Sequence, residues 1–201
     1  MRMISNQSRF DQAIAKIDLE NSKDPNMERF NEEDHPKELL YSKRMTEWLL
    51  KLAPQSSEEL QIAARGQHIC RWTSPRDSYP MHRQGYLKWR SELKLFHAER
   101  VGEIMKECVY EKEAIARVQS LIKKEKLKTD PESQLLEDVV CLVFLESYFL
   151  DFSHKHDEKK LIEILKKTWN KMSNKGHLEA LKIQLKPESR DLIEKALAEP
   201  T

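Results

Sequence analysis

The sequence predicts an all-α protein, a single domain over residues 1–201 built as a compact bundle of about eight helices. Three observations carry that expectation. Only 4 of the 201 residues are Gly and 8 are Pro, too few turn formers for a strand-rich chain. Charged residues make up 34% of the chain and hydrophobic residues 39%, a mixture rich in the good helix formers Lys, Glu and Leu. Apolar residues recur at i, i+3, i+4 and i+7, the spacing of one helix face.

Phe10, Ala13, Ile14 and Ile17 define a first amphipathic helix from about Ser8 to Ser22. The polar stretch 23–35 lacks periodicity and reads as a loop ending at Pro36, which opens a second helix in its first turn. Leu39, Leu40, Met45, Trp48, Leu49 and Leu52 mark its apolar face. Ser56-Ser57-Glu58-Glu59 is a capping box and starts a third helix running to about Trp72. Residues 73–83, with two prolines and no period, form a second loop. A long helix from about Gln84 to Val109 follows, then one near Glu111–Leu127. After Asp130-Pro131 comes a helix over about residues 132–152, apolar on nearly every side and therefore central. Lys155–Ser173 and Glu188–Ala198 complete the set.

Composition also excludes function classes. Lys plus Arg number 35 against 34 Asp plus Glu, a net charge of +1, so the single-sign field of a nucleic-acid module or an acidic tail is missing. The three cysteines, Cys70, Cys108 and Cys141, form no CxxC and imply reduced thiols in a cytoplasmic or nuclear compartment. Met1–Ser8 has no apolar signal region, and Val139–Leu150 is interrupted by Glu146 and Ser147 and too short to span a bilayer. No membrane association is expected.

Glu137 and Asp138 stand out because they precede the apolar run from Val139 to Leu145 and share faces with it. Such carboxylates are either helix N-terminal groups favoured by the dipole or buried groups that need a proton, a cationic partner or a metal. His68 and His97 fall on the inner faces of the third and fourth helices. Each alone is read as a core histidine with a hydrogen-bond acceptor, but with a carboxylate they form a ligand set for a divalent transition metal. Arg71, Arg76, Arg90 and Lys94 lie close in sequence to the two histidines. They are either solvated surface charges or the rim that holds an anionic substrate. Lys123, Lys124, Lys126 and Lys128 read as a solvated face, and Asp157 as a helix N-terminal carboxylate.

The order of His68, His97 and Asp138 resembles the HD-domain phosphohydrolases, all-α proteins whose metal ligands are His, His-Asp and Asp. That resemblance implies His68, His97 and Asp138 as ligands of a divalent metal (Mn, Fe, Co or Zn). Ala98 stands where those proteins carry Asp, and Glu137 is the nearest candidate to ligate or to relay a proton in its place. At whole-chain level the stretches PKELLYSKRM, AARGQHICRW, PRDSYPMHRQGYLKWR, FHAERVGEIM, LEDVVCLVFLE, KHDEKKLIEILKKTWNKMS and ALKIQL resemble an uncharacterised domain-of-unknown-function family, number 4202. The synthetase label sometimes attached to that family has no support here, because no Gly-rich nucleotide loop is present. The expected function is metal-dependent hydrolysis of a small phosphorylated or anionic metabolite. Its alternatives are a non-enzymatic helical interaction module and a di-iron oxygenase.

Overall fold

A computed structural model describes residues 8–127 and 129–198; Met1–Gln7 and Lys128 lie outside the described residues. These form ten α-helices and one two-stranded sheet, a predominantly α-helical protein, as its composition requires. The chain divides into two compact units, residues 1–126 and 127–201. No described helix is long and apolar enough to cross a membrane.

In the first unit, α1 (Arg9–Asn21) is capped by Ser8, whose hydroxyl accepts the Asp11 N–H. Next come β1 (Met27–Phe30) and β2 (Glu33–Pro36), an antiparallel hairpin with Met27 opposite Pro36 and Phe30 opposite Glu33. This corrects the expected loop at 23–35. The strands are exposed along most of both faces, so no apolar alternation marks them, and the two-residue turn uses Asn31 and Glu32 at φ 49° and 68°, where Asn-Gly would be the familiar signal. Arg44 pairs with Glu28 and lies over the Phe30 ring at 4.9 Å, tying the hairpin to the next helix.

Helix α2 (Lys37–Leu52) starts after Pro36, which offers no side-chain cap. Asp24 supplies one from a distance, its Oδ2 accepting the Glu38 N–H at 3.0 Å. Helix α3 (Glu58–Gly66) is capped by the Ser57 hydroxyl and ends six residues before the expected Trp72. The chain there turns through Cys70 at φ 53°, a left-handed residue held by Asn21, whose Oδ1 accepts the Cys70 N–H at 3.1 Å. Two short 3-10 turns, Arg71–Thr73 and Arg76–Ser78, cross the expected loop to α4 (Arg83–Glu107), and α5 (Lys112–Lys123) packs back on α4 and α3. Ala13, Ile17, Met45, Leu49, Ile62, Ile69, Val101, Met105 and Leu121 are fully buried and form the core. Within it Arg65 of α3 makes a bidentate pair with Asp18 of α1 at 2.6 Å and donates to Thr46 of α2, so one guanidinium joins three helices.

In the second unit Asp130 caps α6 (Pro131–Val143) with Pro131 in its first turn. The expected continuous helix over 132–152 is interrupted. Five residues, Phe144–Tyr148, wind as a π-helical turn before α7 (Phe149–Ser153). Asp157 caps α8 (Glu158–Trp169) by accepting the Lys160 N–H at 2.9 Å, the role its position predicts. Helices α9 (Asn174–Ala180) and α10 (Pro187–Ala198) follow. Leu136, Val139, Leu142, Val143 and Phe149 are fully buried, and Cys141 is 5% exposed, consistent with a core role.

Gly85 fixes how the 73–82 segment meets α4, because a Cβ there would lie 2.1 Å from the Pro80 carbonyl oxygen. Backbone atoms yield little, so Gly85→Ala is expected to lower unfolding free energy by about 1–3 kcal/mol, the usual range for overpacking. Urea unfolding of the full chain measures it, and an unchanged midpoint would contradict this contact.

Candidate functional site

A cluster of buried ionisable groups occupies the first unit. His68 and Ile69 sit in the turn that follows α3, and that turn is positioned by Asn21 and the left-handed Cys70. His68 therefore lies just past the helix on which its spacing placed it. His97 projects from the middle of α4 and is 3% exposed; its ring lies 5.9 Å from that of His68. Glu38, in the first turn of α2, is 8% exposed and brings its Oε2 to 3.5 Å from His68 Nδ1. Tyr41, one turn further along α2, stacks on His68 with centroids 4.2 Å apart and planes 10° from parallel.

The hydrogen bonds fix what several of these atoms offer. His97 Nδ1 lies 2.8 Å from the Ile69 carbonyl oxygen. A carbonyl only accepts, so Nδ1 carries the proton and Nε2 presents a lone pair. That Nε2 is buried with no hydrogen-bond partner, and so is Glu38 Oε2. Unpaired buried polar atoms carry a desolvation penalty of about 1–3 kcal/mol each, and a ligand that pairs them removes it. Arg71 places one guanidinium nitrogen 3.1 Å from His68 Nε2 and stacks over Trp89 at 5.1 Å. The Trp89 indole is itself anchored, donating to the Ser74 carbonyl at 2.9 Å.

Burial dominates the electrostatics. It raises the Glu38 carboxyl to about 7, with Arg71 opposing the rise and Asp24 adding to it. It lowers His97 to about 3, helped by the neighbouring His68. Burial also pushes His68 well below its ordinary value, reinforced by the positive charges of Arg71, Lys124 and Arg90. Near neutrality both imidazoles are therefore uncharged, while Glu38 is divided between its two forms. A carboxyl so tuned, beside fixed cations, is suited to exchange protons at physiological pH.

The other expected site residues have other surroundings. Arg76 donates to the carbonyls of Tyr79 and Pro80 and so braces its own loop. Arg90 is exposed on α4 and stacks on Tyr86, and Lys94 is half-buried on the same helix. In the second unit Asp138 is 2% exposed and fully engaged: it accepts from the Ser173 N–H at 2.7 Å, from the Ser173 hydroxyl and from Gln134 Nε2 at 3.1 Å. Ser173 is the N-cap of α9, so Asp138 secures that helix start. Glu137 is 4% exposed, with Lys171 Nζ at 4.0 Å from its carboxylate. Among the described residues no group of three or more His, Cys, Asp or Glu is arranged to hold a metal ion. As placed, the donors do not fit the expected metal, and the chemistry below uses the side chains alone.

Glu38 is the residue sequence reading missed. A Glu in the first turn after Pro36 looks like an ordinary dipole partner. The available signal was its phase, since Glu38 precedes Met45 by seven positions and Leu49 and Leu52 continue the same buried stripe.

The buried ionisable centre and helical fold define a class: an α-helical protein with an internal carboxyl–imidazole site. The chain belongs to the family described as domain of unknown function DUF4202, which matches residues 11–193. No match to a curated protein or to a solved structure was found.

Two predictions follow from these contacts. Asp138→Ala strands Ser173 and Gln134 donors in a buried setting and is expected to cost about 3 kcal/mol, read as a lowered urea midpoint. The second concerns pH. Glu38 is raised in the folded chain from 4.5 to about 7, so its stabilising contribution is complete below pH 4.5 and is lost as pH rises through 7. His97, lowered from 6.5 to about 3, acts oppositely and loses its contribution as pH falls through that interval. Glu38→Gln removes only the first effect. The variant should therefore gain on the wild type by up to about 3 kcal/mol between pH 4.5 and 7, a trend that unfolding at a series of pH values measures. A flat difference across that window would contradict a buried, ionisable Glu38.

Proposed function

We propose that the first unit is the working centre of a hydrolase for a small phosphorylated metabolite, with Glu38 as general base. Glu38 takes a proton from water as the water oxygen attacks phosphorus, the P–O ester bond breaks, and the departing alkoxide takes a proton from solvent to leave as the alcohol. His97 Nε2, able only to accept, receives a hydrogen bond from the attacking water or a ligand hydroxyl. Arg71 and Arg90 supply positive charge for the phosphate oxygens. The observation that carries this reading is the Glu38–His68–His97 cluster, in which Glu38 Oε2 and His97 Nε2 are both buried without a hydrogen-bond partner. The cationic residues acting on His68 agree with an anionic ligand.

The test is phosphate release from a panel of sugar phosphates and nucleotides by the purified full chain. Glu38→Gln and His97→Ala are each expected to lower kcat/KM by about 100-fold or more, the usual worth of a positioned general base. A base must be deprotonated to act, so kcat/KM should rise with pH and level off above about 7. Turnover unaffected by Glu38→Gln, or no turnover and no ligand-induced rise in melting temperature with any member of the panel, would refute the assignment. The same assay with added manganese, iron, cobalt or zinc measures whether turnover depends on a metal.

A further inference from the structure

Three arginines and two aromatic rings alternate from the buried centre to the surface of α4. The Arg71 guanidinium, beside His68, lies 5.1 Å from the centre of the Trp89 ring. Arg76 stands 5.9 Å from both the Trp89 and the Tyr86 rings, and Arg90 stands 5.7 Å from Tyr86. The two rings are 6.0 Å apart. Backbone carbonyls fix the row: Arg76 donates to those of Tyr79 and Pro80, and Trp89 donates to that of Ser74. Gly85 admits the Pro80 carbonyl against the first turn of α4, which holds the Arg76 segment next to Tyr86. Glu92, an acid on the same helix, is engaged by the Tyr79 hydroxyl at 2.6 Å and by Lys88 at 3.7 Å. Exposure rises outward, from Trp89 at 7% to Tyr86 at 41%, and Arg90 is exposed. Burial, and after it the charges of Arg71, Lys124 and Arg90, hold the His68 imidazole well below its ordinary value, so the outer arginine is within electrostatic reach of the centre. The inner end of the row thus stands beside the unpaired Glu38 Oε2 and His97 Nε2, and the outer end is a half-open ring among cations.

Guanidinium groups alone suffice to hold a phosphate. An open aromatic face beside them adds binding for a ligand that also carries a planar, unsaturated ring. Cation-to-ring distances just under 6 Å lie at the outer limit of cation–π contact, so neither Arg76 nor Arg90 closes the Tyr86 ring to a stacking partner. We propose that this row selects a nucleotide: the phosphate lies at the Arg71 end next to Glu38 and His97, and the base stacks on Tyr86. Tyr86 is then the specificity-determining residue, and Arg76, whose donors are spent on its own loop, is a positioning residue that keeps the two rings in place. The position of the phosphate rests on the proposed function, whereas the base site on Tyr86 does not. A sugar phosphate offers the anion without the ring and leaves the outer half of the row unused.

Titration calorimetry of the full chain tests this with two phosphonates, the analogues of adenosine 5′-monophosphate and of ribose 5-phosphate in which a P–C bond replaces the P–O ester. Neither can be hydrolysed, so binding is read apart from turnover. The wild type is expected to bind the adenosine analogue about tenfold more tightly than the ribose analogue, the usual worth of one base stacked on an aromatic side chain. Tyr86→Ala should remove most of that advantage and leave the ribose analogue within about twofold of the wild type, because only the base contact is lost. Tyr86→Phe keeps the ring and should keep the advantage, although it lacks the hydroxyl that Arg90 meets at 3.4 Å. Equal affinity of the wild type for the two analogues, or binding of neither, would overturn the proposal. So would a Tyr86→Ala variant that weakens both analogues alike or changes neither, or a Tyr86→Phe variant that behaves like Tyr86→Ala. Tyr86-dependent binding without phosphate release from any nucleotide would leave the base site standing and defeat the hydrolase reading. Release of phosphate from sugar phosphates by a chain that shows no preference for the adenosine analogue would do the reverse.

Discussion

The site in the first unit hangs on one hydrogen bond, from the Cys70 N–H to the Asn21 side chain. Cys70 takes a left-handed backbone conformation that L-residues other than Gly and Asn reach only at a cost. The buried amide at the end of α1 compensates that cost and turns the chain sharply after α3. Everything chemical follows from the reversal. His68 is laid against Tyr41 and Glu38, the Ile69 carbonyl is aimed at His97, and Arg71 is delivered onto Trp89. A helix continued through Trp72 would have spread these groups around its axis.

Glu38 and Asp138 show how one functional group acquires opposite characters. Both carboxyls are almost wholly buried. Asp138 collects an amide, a hydroxyl and a carboxamide donor within its own unit, so its burial is compensated and its work is architectural. Glu38 Oε2 collects none, and desolvation accordingly governs its titration. Chemical readiness in this protein therefore resides in incomplete satisfaction. The residue most conspicuous as a buried acid in the sequence, Asp138, is the better satisfied of the two.

Helical character was legible because periodicity and capping are local. Ser57 and Asp157 cap the helices their positions suggested. His97 was legible as an inward residue because Leu93 and Val101 flank it at helical spacing. What escaped was set by distant partners. The 27–36 hairpin buries too little to print an apolar alternation, and the end of α3 at Gly66 depends on Asn21, far away in the chain. Glu38 escaped because a first-turn acid has an ordinary explanation, and only its alignment with Met45 and Leu49 betrays the buried face. Arg76 looked like a member of one cationic group around His68, yet it braces its own loop. Charge type is written in the sequence, whereas the acceptor each charge finds is a tertiary fact.

The π-helical turn at Phe144–Tyr148 changes the accounting of faces along the second unit's main apolar segment. Each residue of an α-helix advances the side-chain direction by about 100°, and a widened turn accommodates one extra residue in the winding. Phe149 is thereby rotated into full burial while Glu146 points outward. Such a bulge has the form of a single-residue insertion absorbed without breaking the helix. A lineage in which that residue were deleted would keep its helix but present a different set of side chains from residue 149 onward.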